Sequence, residues 1–285
     1  MCSIACSVSV SVTVAINKRP GRVAARDAQA GVDQPAGIAE DRPNHGDAAM
    51  SQQVLVERFF EVLISGERQA ARQIVDECLE ADAPAEAIIE KLVYPTLEMI
   101  QKLFRQDQLT VVAHHYATRL LRMLTDQLQM RLTEHERNGK RVLLTCGPNE
   151  PDELAGQMAA DLLEAQGYEV FFAGGGVAND EIVAQVGELR PDTFVSFGST
   201  PADLPHTRQL IDQLHDLGIC PDMQIVVGGG IFNRAEGLAE EIGADIWART
   251  PAELVREMET NGSKRMGADQ RTVGRRRRMG KAIAA

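Results

Sequence analysis

The stretch "RVLLTCGPNEPDELAGQMAADLLEAQ", residues 141–166, sets a short β-rich run, a loop and a helix-patterned, alanine-rich segment in direct succession. A continuous apolar strand leading straight into a helix is the repeating unit of a parallel sheet covered on both faces. The unit recurs downstream. "EVFFAG", "TFVSFGS", "QIVVGGG" and "DIWAR" follow as strand candidates, and helical patterns lie near 152 to 166, 179 to 189, 203 to 217, 233 to 242 and 251 to 259. Thr250 followed by Pro251 makes a helix N-cap and first-turn pair that closes the series.

Five such units predict a flavodoxin-like, doubly wound α/β domain with a five-stranded parallel sheet over residues 139–260. Ahead of it, residues 51–138 show apolar side chains at spacings of three and four. The pattern breaks at Ser65-Gly66, Asp82 to Pro84 and Gln106 to Leu109. That predicts a helical bundle of about four helices, a cap on the sheet domain. Residues 1–50 are rich in Ala, Gly, Asp, Pro and Ser without periodicity and read as disordered, and residues 261–285 read as a disordered basic tail. The helix pattern beginning at Ser51 makes Met50 an alternative start to Met1.

With 44% hydrophobic and 25% charged residues, the 285-residue chain has an ordinary soluble composition. A net charge of -11 opposes nucleic-acid binding by the body of the protein, and confines any such contact to the run Arg275 to Arg278. Five scattered cysteines without a C-x-x-C pair encode neither a disulfide framework nor a structural zinc site. They fit a reducing, cytoplasmic setting. The first residues lack the charge order of a secretion signal, and no apolar run is long enough to span a membrane.

Each strand hands its following loop to the carboxyl edge of the sheet, where open parallel sheets bind ligands. Gly147 to Glu153, Gly174 to Asn179, Ser199 to Asp203 and Gly228 to Asn233 therefore converge. Two of these loops carry glycine triplets. The triplets either leave room for a bulky ligand or serve only as tight turns, and Ser199 and Thr200 lie between them. The first loop lacks the glycine patterns of dinucleotide and phosphate sites.

In these features residues 54 to 258 resemble the cobalamin-binding proteins in which a helical cap precedes the sheet domain. The resemblance rests on "RVLLTCGPNEPDELAG", "SFGST", "IVVGGGIFNRAEGLAEEIGADIWARTPAEL" and, in the cap, "FRQDQLTVVAHH". It implies that Phe104 holds the family's aromatic position, usually Trp, and that His114 and His115 hold its Glu-His pair. The family's Asp-x-His-x-x-Gly motif is degenerate here. Gly156 remains, but Glu153 stands at the histidine position and Pro151 at the aspartate position. A carboxylate is a poorer match to cobalt than an imidazole, so lower ligation by the protein is not expected.

The resemblance thus implies a macrocycle between the cap, near Phe104, His114 and His115, and a sheet groove lined by Gly156, Ser199, Thr200, Gly228, Gly229 and Gly230. His115 is the candidate upper ligand to the metal. The plainer alternative is that one of two adjacent helical histidines turns inward as a hydrogen-bonded core residue. Glu150, Asp152 and Glu153 are explained by the helix dipole, and no catalytic residue is assigned. His206 and His215 fall on different helix faces, His135 reads as solvated, and Cys146 reads as an ordinary buried thiol.

The reading that follows is a cobalamin-binding sensor or regulatory protein acting through a protein partner, rather than an enzyme. The alternatives are a corrinoid methyl carrier serving a methyltransferase, a haem-binding protein, and a cofactor-free interaction module. Exposed faces of the cap also offer a surface for a homo-oligomer.

Overall fold

The computed structural model describes residues 45–232 and 237–266. The expectations for residues 1–44, for Asn233 to Glu236 and for the tail with Arg275 to Arg278 lie outside the described residues.

The helical part comprises α1 (His45–Ser65), α2 (Arg68–Glu80), α3 (Ala85–Ile88), α4 (Tyr94–Arg105) and α5 (Val111–Gln129). A π-helical turn at Ile89–Val93 joins α3 to α4, so these two act as one long helix and the breaks fall where the sequence places them. Pro95 cannot donate to the carbonyl of Lys91. That carbonyl accepts instead from the Gln52 side chain at 3.2 Å. α1 begins six residues before the expected Ser51, at His45.

The sheet part alternates strictly: β1 (Arg141–Cys146), α6 (Glu150–Ala165), β2 (Glu169–Gly174), α7 (Asn179–Leu189), β3 (Thr193–Phe197), α8 (Leu204–Leu217), β4 (Gln224–Gly228), α9 (Leu238–Ile242), β5 (Ile246–Ala248) and α10 (Pro251–Thr260). All four strand pairings are parallel, in the order β2-β1-β3-β4-β5. The order reverses at β1, which places the loops after β1 and β3 side by side at the carboxyl edge, the switch point of such sheets. Among the described residues, no helix is long and apolar enough to cross a membrane.

Alternation along the strands divides the interior in two. Leu143, Phe194, Ile225 and Val227 face α7, α8 and α9, with the chain's only tryptophan, Trp247, packed against that cluster. Val142, Leu144, Val195, Phe197, Val226, Ile246 and Ala248 face the other way, under α6 and α10. This second face is continuous with the interior of the cap, through Phe59, Leu63, Tyr94, Leu97 and Leu121. Cap and sheet thus share one core.

Along α6, Asp161 is buried against α5. Burial, then Asp126 and Glu164, push its carboxyl up to about 7, and one of its oxygens has no hydrogen-bond partner. The folded carboxyl keeps its proton to about pH 7, whereas the unfolded one releases it near 3.8. Between those values the folded state binds more protons, so stability falls as pH rises through the window, and the whole penalty is present above it. Urea midpoints of the wild-type chain should therefore decline from pH 5 to pH 8. Asp161→Asn should flatten that slope and gain about 1–4 kcal/mol at pH 8, and an unchanged slope in the variant would place the effect elsewhere.

Candidate functional site

At the carboxyl edge the loop after β1 turns directly into α6. Asn149 caps that helix, its side chain accepting from the Asp152 amide at 3.0 Å while its amide group donates to the Asp152 carboxylate. Pro151 occupies the first turn, where a missing N–H costs nothing. The family's histidine and aspartate positions are thus the first turn of a regular helix. Glu153 is half-exposed and pairs with Arg122 of α5 at 3.6 Å, so the side chain at the lower-ligand position is directed to the cap.

Asp152 is the residue that sequence reasoning passed over. Dipole stabilisation suits an exposed first-turn carboxylate, but this one is only 1% exposed. Burial raises its pKa, hydrogen bonds from Ser199 and Asn149 draw it back, and Asp203 raises it further. Asp203 lies across the loop. Its own carboxyl is also raised by burial, with His206 opposing. Both carboxylates crowd Gly147, where an added Cβ would lie 2.3 Å from Asp152 Oδ2 and 3.0 Å from Asp203 Oδ2. The available signal was the N-x-x-D spacing of Asn149 and Asp152, which has the form of a reciprocal helix cap. Among the described residues, no three His, Cys, Asp or Glu side chains group to hold a metal ion.

The cap closes over this edge. Tyr94, Leu97, Glu98 and Gln101 of α4 face Asp152, Ala155, Phe197, Ser199 and Gly230, leaving room for about one water molecule. Tyr94 donates to the Arg249 carbonyl at 2.9 Å, and Thr118 of α5 donates to Glu150 at 3.0 Å. Gln157 donates to Asp126 at 2.7 Å, and Arg256 pairs with Glu90 at 2.9 Å. The tetrapyrrole-sized groove expected between cap and sheet is therefore closed in this structure, because α4 side chains and Phe197 fill it.

The glycines expected to open that groove are used by the fold itself. Gly156 lets α6 approach β1 and β2, since a Cβ there would meet Cys146 at 3.0 Å and the Phe172 ring at 3.1 Å. Gly228 accommodates the Phe197 ring, 2.6 Å from such a Cβ, and Gly229, at φ +105°, lies against the Gly198 carbonyl. Ser199 is buried, Thr200 sits 3.5 Å from the Asn149 amide nitrogen, and Gly230 lines the remaining gap. Burial, then Glu153 and Asp152, push the Cys146 thiol up to about 12, in keeping with an inert buried cysteine.

On the cap, His114 is the inward member of the pair and His115 is exposed, their ring centroids 5.9 Å apart. His114 stacks on half-buried Phe104 at 4.0 Å and is only 6% exposed. The expected core hydrogen bond is missing, because neither ring nitrogen has a partner. Burial, then His115, hold its imidazole below the usual histidine range, and Glu150 pulls the other way.

Comparison with known proteins places this architecture. A B12 binding domain family matches residues 140–257, and a second B12 binding domain family matches residues 55–129. The chain belongs to the B12-binding family. It is 23% identical over 208 residues to dimethylamine corrinoid protein 1 of Methanosarcina acetivorans, covering 72% of this chain and 96% of that one. Trimethylamine corrinoid protein 2 of Methanosarcina mazei is 23% identical over 193 residues, 66% of this chain and 87% of that one. The solved monomethylamine corrinoid protein of Methanosarcina barkeri has the same fold, with a TM-score of 0.64 at 16% identity, over 72% of this chain and 97% of that one.

The two sides of the cleft fit the family's cofactor differently. On the cap, a buried imidazole with two orphaned nitrogens beside an aromatic ring is a group in want of a partner. On the sheet, the lower-ligand position carries a carboxylate committed to Arg122, and the glycines are covered. The donor chemistry on the cap suits a metal-bearing ring, and the carboxylate at the lower position does not suit cobalt as an imidazole would.

An orphaned imidazole costs about 1–3 kcal/mol, and a histidine whose folded pKa is depressed loses stability as pH falls below its unfolded value. His114→Phe keeps the stack on Phe104 and removes both nitrogens. The ligand-free variant should be about 1–2 kcal/mol more stable than wild type at pH 7, with a larger gain at pH 5.5. Thermal unfolding at the two pH values measures this, and a destabilised variant would show that His114 already has a partner.

Proposed function

We propose that this cobalamin-binding protein is a corrinoid carrier that holds the corrin ring between its cap and the carboxyl edge of its sheet, and presents it to a methyltransferase partner. The observation that carries the reading is the correspondence over 96% of the length of a methylamine corrinoid protein, helical half and sheet half in the same order. A bound corrinoid supplies the metal to which a methyl group is attached and from which it is given up, while the protein supplies orientation and enclosure.

The chain's residues divide that work. Phe104, His114 and His115 form the cap side, with His114 the buried group that gains a partner when a ring enters. Glu153 offers a carboxylate, a poorer match to cobalt than an imidazole, so the lower side is left to the cofactor's own base or to water. Entry requires the cap to part from α6. The cap is held there by the apolar core it shares with the sheet, with side-chain hydrogen bonds and ion pairs at the rim, the exposed pairs contributing only about 0–1 kcal/mol each. The sensor reading, in which ligand state shifts the packing of cap on sheet, and the haem reading find no support among the comparisons.

Purified protein incubated in the dark with hydroxo-, methyl- and adenosylcobalamin, and separately with haemin, then passed over gel filtration, tests the reading. Corrinoid should co-elute and haemin should not. A corrinoid-dependent methyltransferase should then demethylate the loaded methylcobalamin faster than the free cofactor. Co-elution without that gain would remove the carrier role, and no co-elution of any corrinoid would remove the proposal.

A further inference from the structure

We infer that Met123 is an oxidation site for hydroperoxides, at which the sulfoxide is held by Arg68 and Arg72 and fastens α2 to α5. The site lies within the cap and does not depend on the corrinoid reading above.

Arg68 and Arg72 stand one turn apart on α2, where two like charges repel. Both guanidinium groups nevertheless converge on a single atom of α5. Nη2 of Arg68 donates to the Met123 sulfur at 3.5 Å, and Nη1 of Arg72 donates to it at 3.9 Å. Among the described residues neither arginine has a carboxylate within ion-pair distance. A thioether is a weak acceptor, so the two cations are aimed at a point that satisfies them poorly. Met123 is half-buried against the core of the cap, whereas Met130, just past the end of α5, is 86% exposed.

Oxidation supplies the missing acceptor. The sulfur lone pair attacks one oxygen of the hydroperoxide, the S–O bond forms as the O–O bond breaks, and the other oxygen leaves with the peroxide's proton as water or an alcohol. Sulfur loses two electrons and the peroxide gains them. The new oxygen is strongly polar and sits on the atom at which both guanidinium groups already point, so each weak contact becomes a charge-assisted hydrogen bond. Arg68 is exposed and Arg72 half-buried, which lets both side chains retreat by the length of the S–O bond. A sulfoxide ordinarily disrupts the packing around its methionine. Here it bridges two helices of the cap, and the sign of the effect is reversed.

The test treats the purified full-length protein, Met123→Leu and the double variant Arg68→Gln/Arg72→Gln with hydrogen peroxide, maps sulfoxides by peptide mass spectrometry, and compares melting temperatures before and after. Met123 should react after Met130 but ahead of the buried Met158 and Met258. Treatment should raise the melting temperature of the wild type by about 2–4 °C over the change seen in Met123→Leu, which carries every other methionine and so accounts for their oxidation. In the double arginine variant the same oxidation should lower it. A fall in the wild type as large as that in the double variant, or a Met123 that stays reduced until Met158 reacts, would overturn the inference.

Discussion

The structure depends on a single apolar core that does not stop at the domain border. The strands send alternate side chains to two faces, and the face under α6 and α10 runs without interruption into the cap through Phe197, Tyr94 and Leu97. Burial of this kind is the dominant favourable term in folding. It explains why the cap rests closed on the carboxyl edge and why the glycines there are filled. The polar contacts around the seam, such as Thr118 with Glu150 and Gln157 with Asp126, set how α5 lies on α6 rather than supplying the cohesion.

Much of the fold was legible in the residues because local and global signals agree. The apolar strands, the Thr250 cap and the three breaks in the cap helices each have a local cause, and all were found where the sequence puts them. The early start of α1 was not legible, since "HGDAA" has no apolar period to announce a helix. The site was less legible, for a physical reason. A glycine shows only that a side chain is absent, not whether a ligand or the protein's own atoms take the space. At Gly228 the answer depends on Phe197, thirty-one residues away in sequence and adjacent only through strand register. Asp152 was hidden in the same way, because its exposure is set by the cap and by Asp203.

The histidine pair shows how far helical geometry alone carries. Adjacent residues on a helix diverge by about 100°, so one of His114 and His115 has to turn inward. Which one does so is decided by the start of α5, fixed by the Thr110 cap that accepts from the Ala113 amide at 3.2 Å. That register sets His114 on Phe104 and leaves His115 at the surface. The absence of a hydrogen-bond partner for His114 then distinguishes it from an ordinary core histidine, a property no sequence pattern encodes.

Trp247 has a use beyond its packing. It is the chain's only tryptophan, it sits on the sheet face turned away from the cap, and the Arg249 guanidinium lies 5.6 Å from its ring centre. An emitter fixed to the rigid sheet, rather than to the element that has to move, keeps its position whether the cap is open or closed. Quenching of its fluorescence by a coloured ring at the carboxyl edge would then register arrival of the ring, separate from movement of the cap. The molecule carries an optical reference point for its own occupancy.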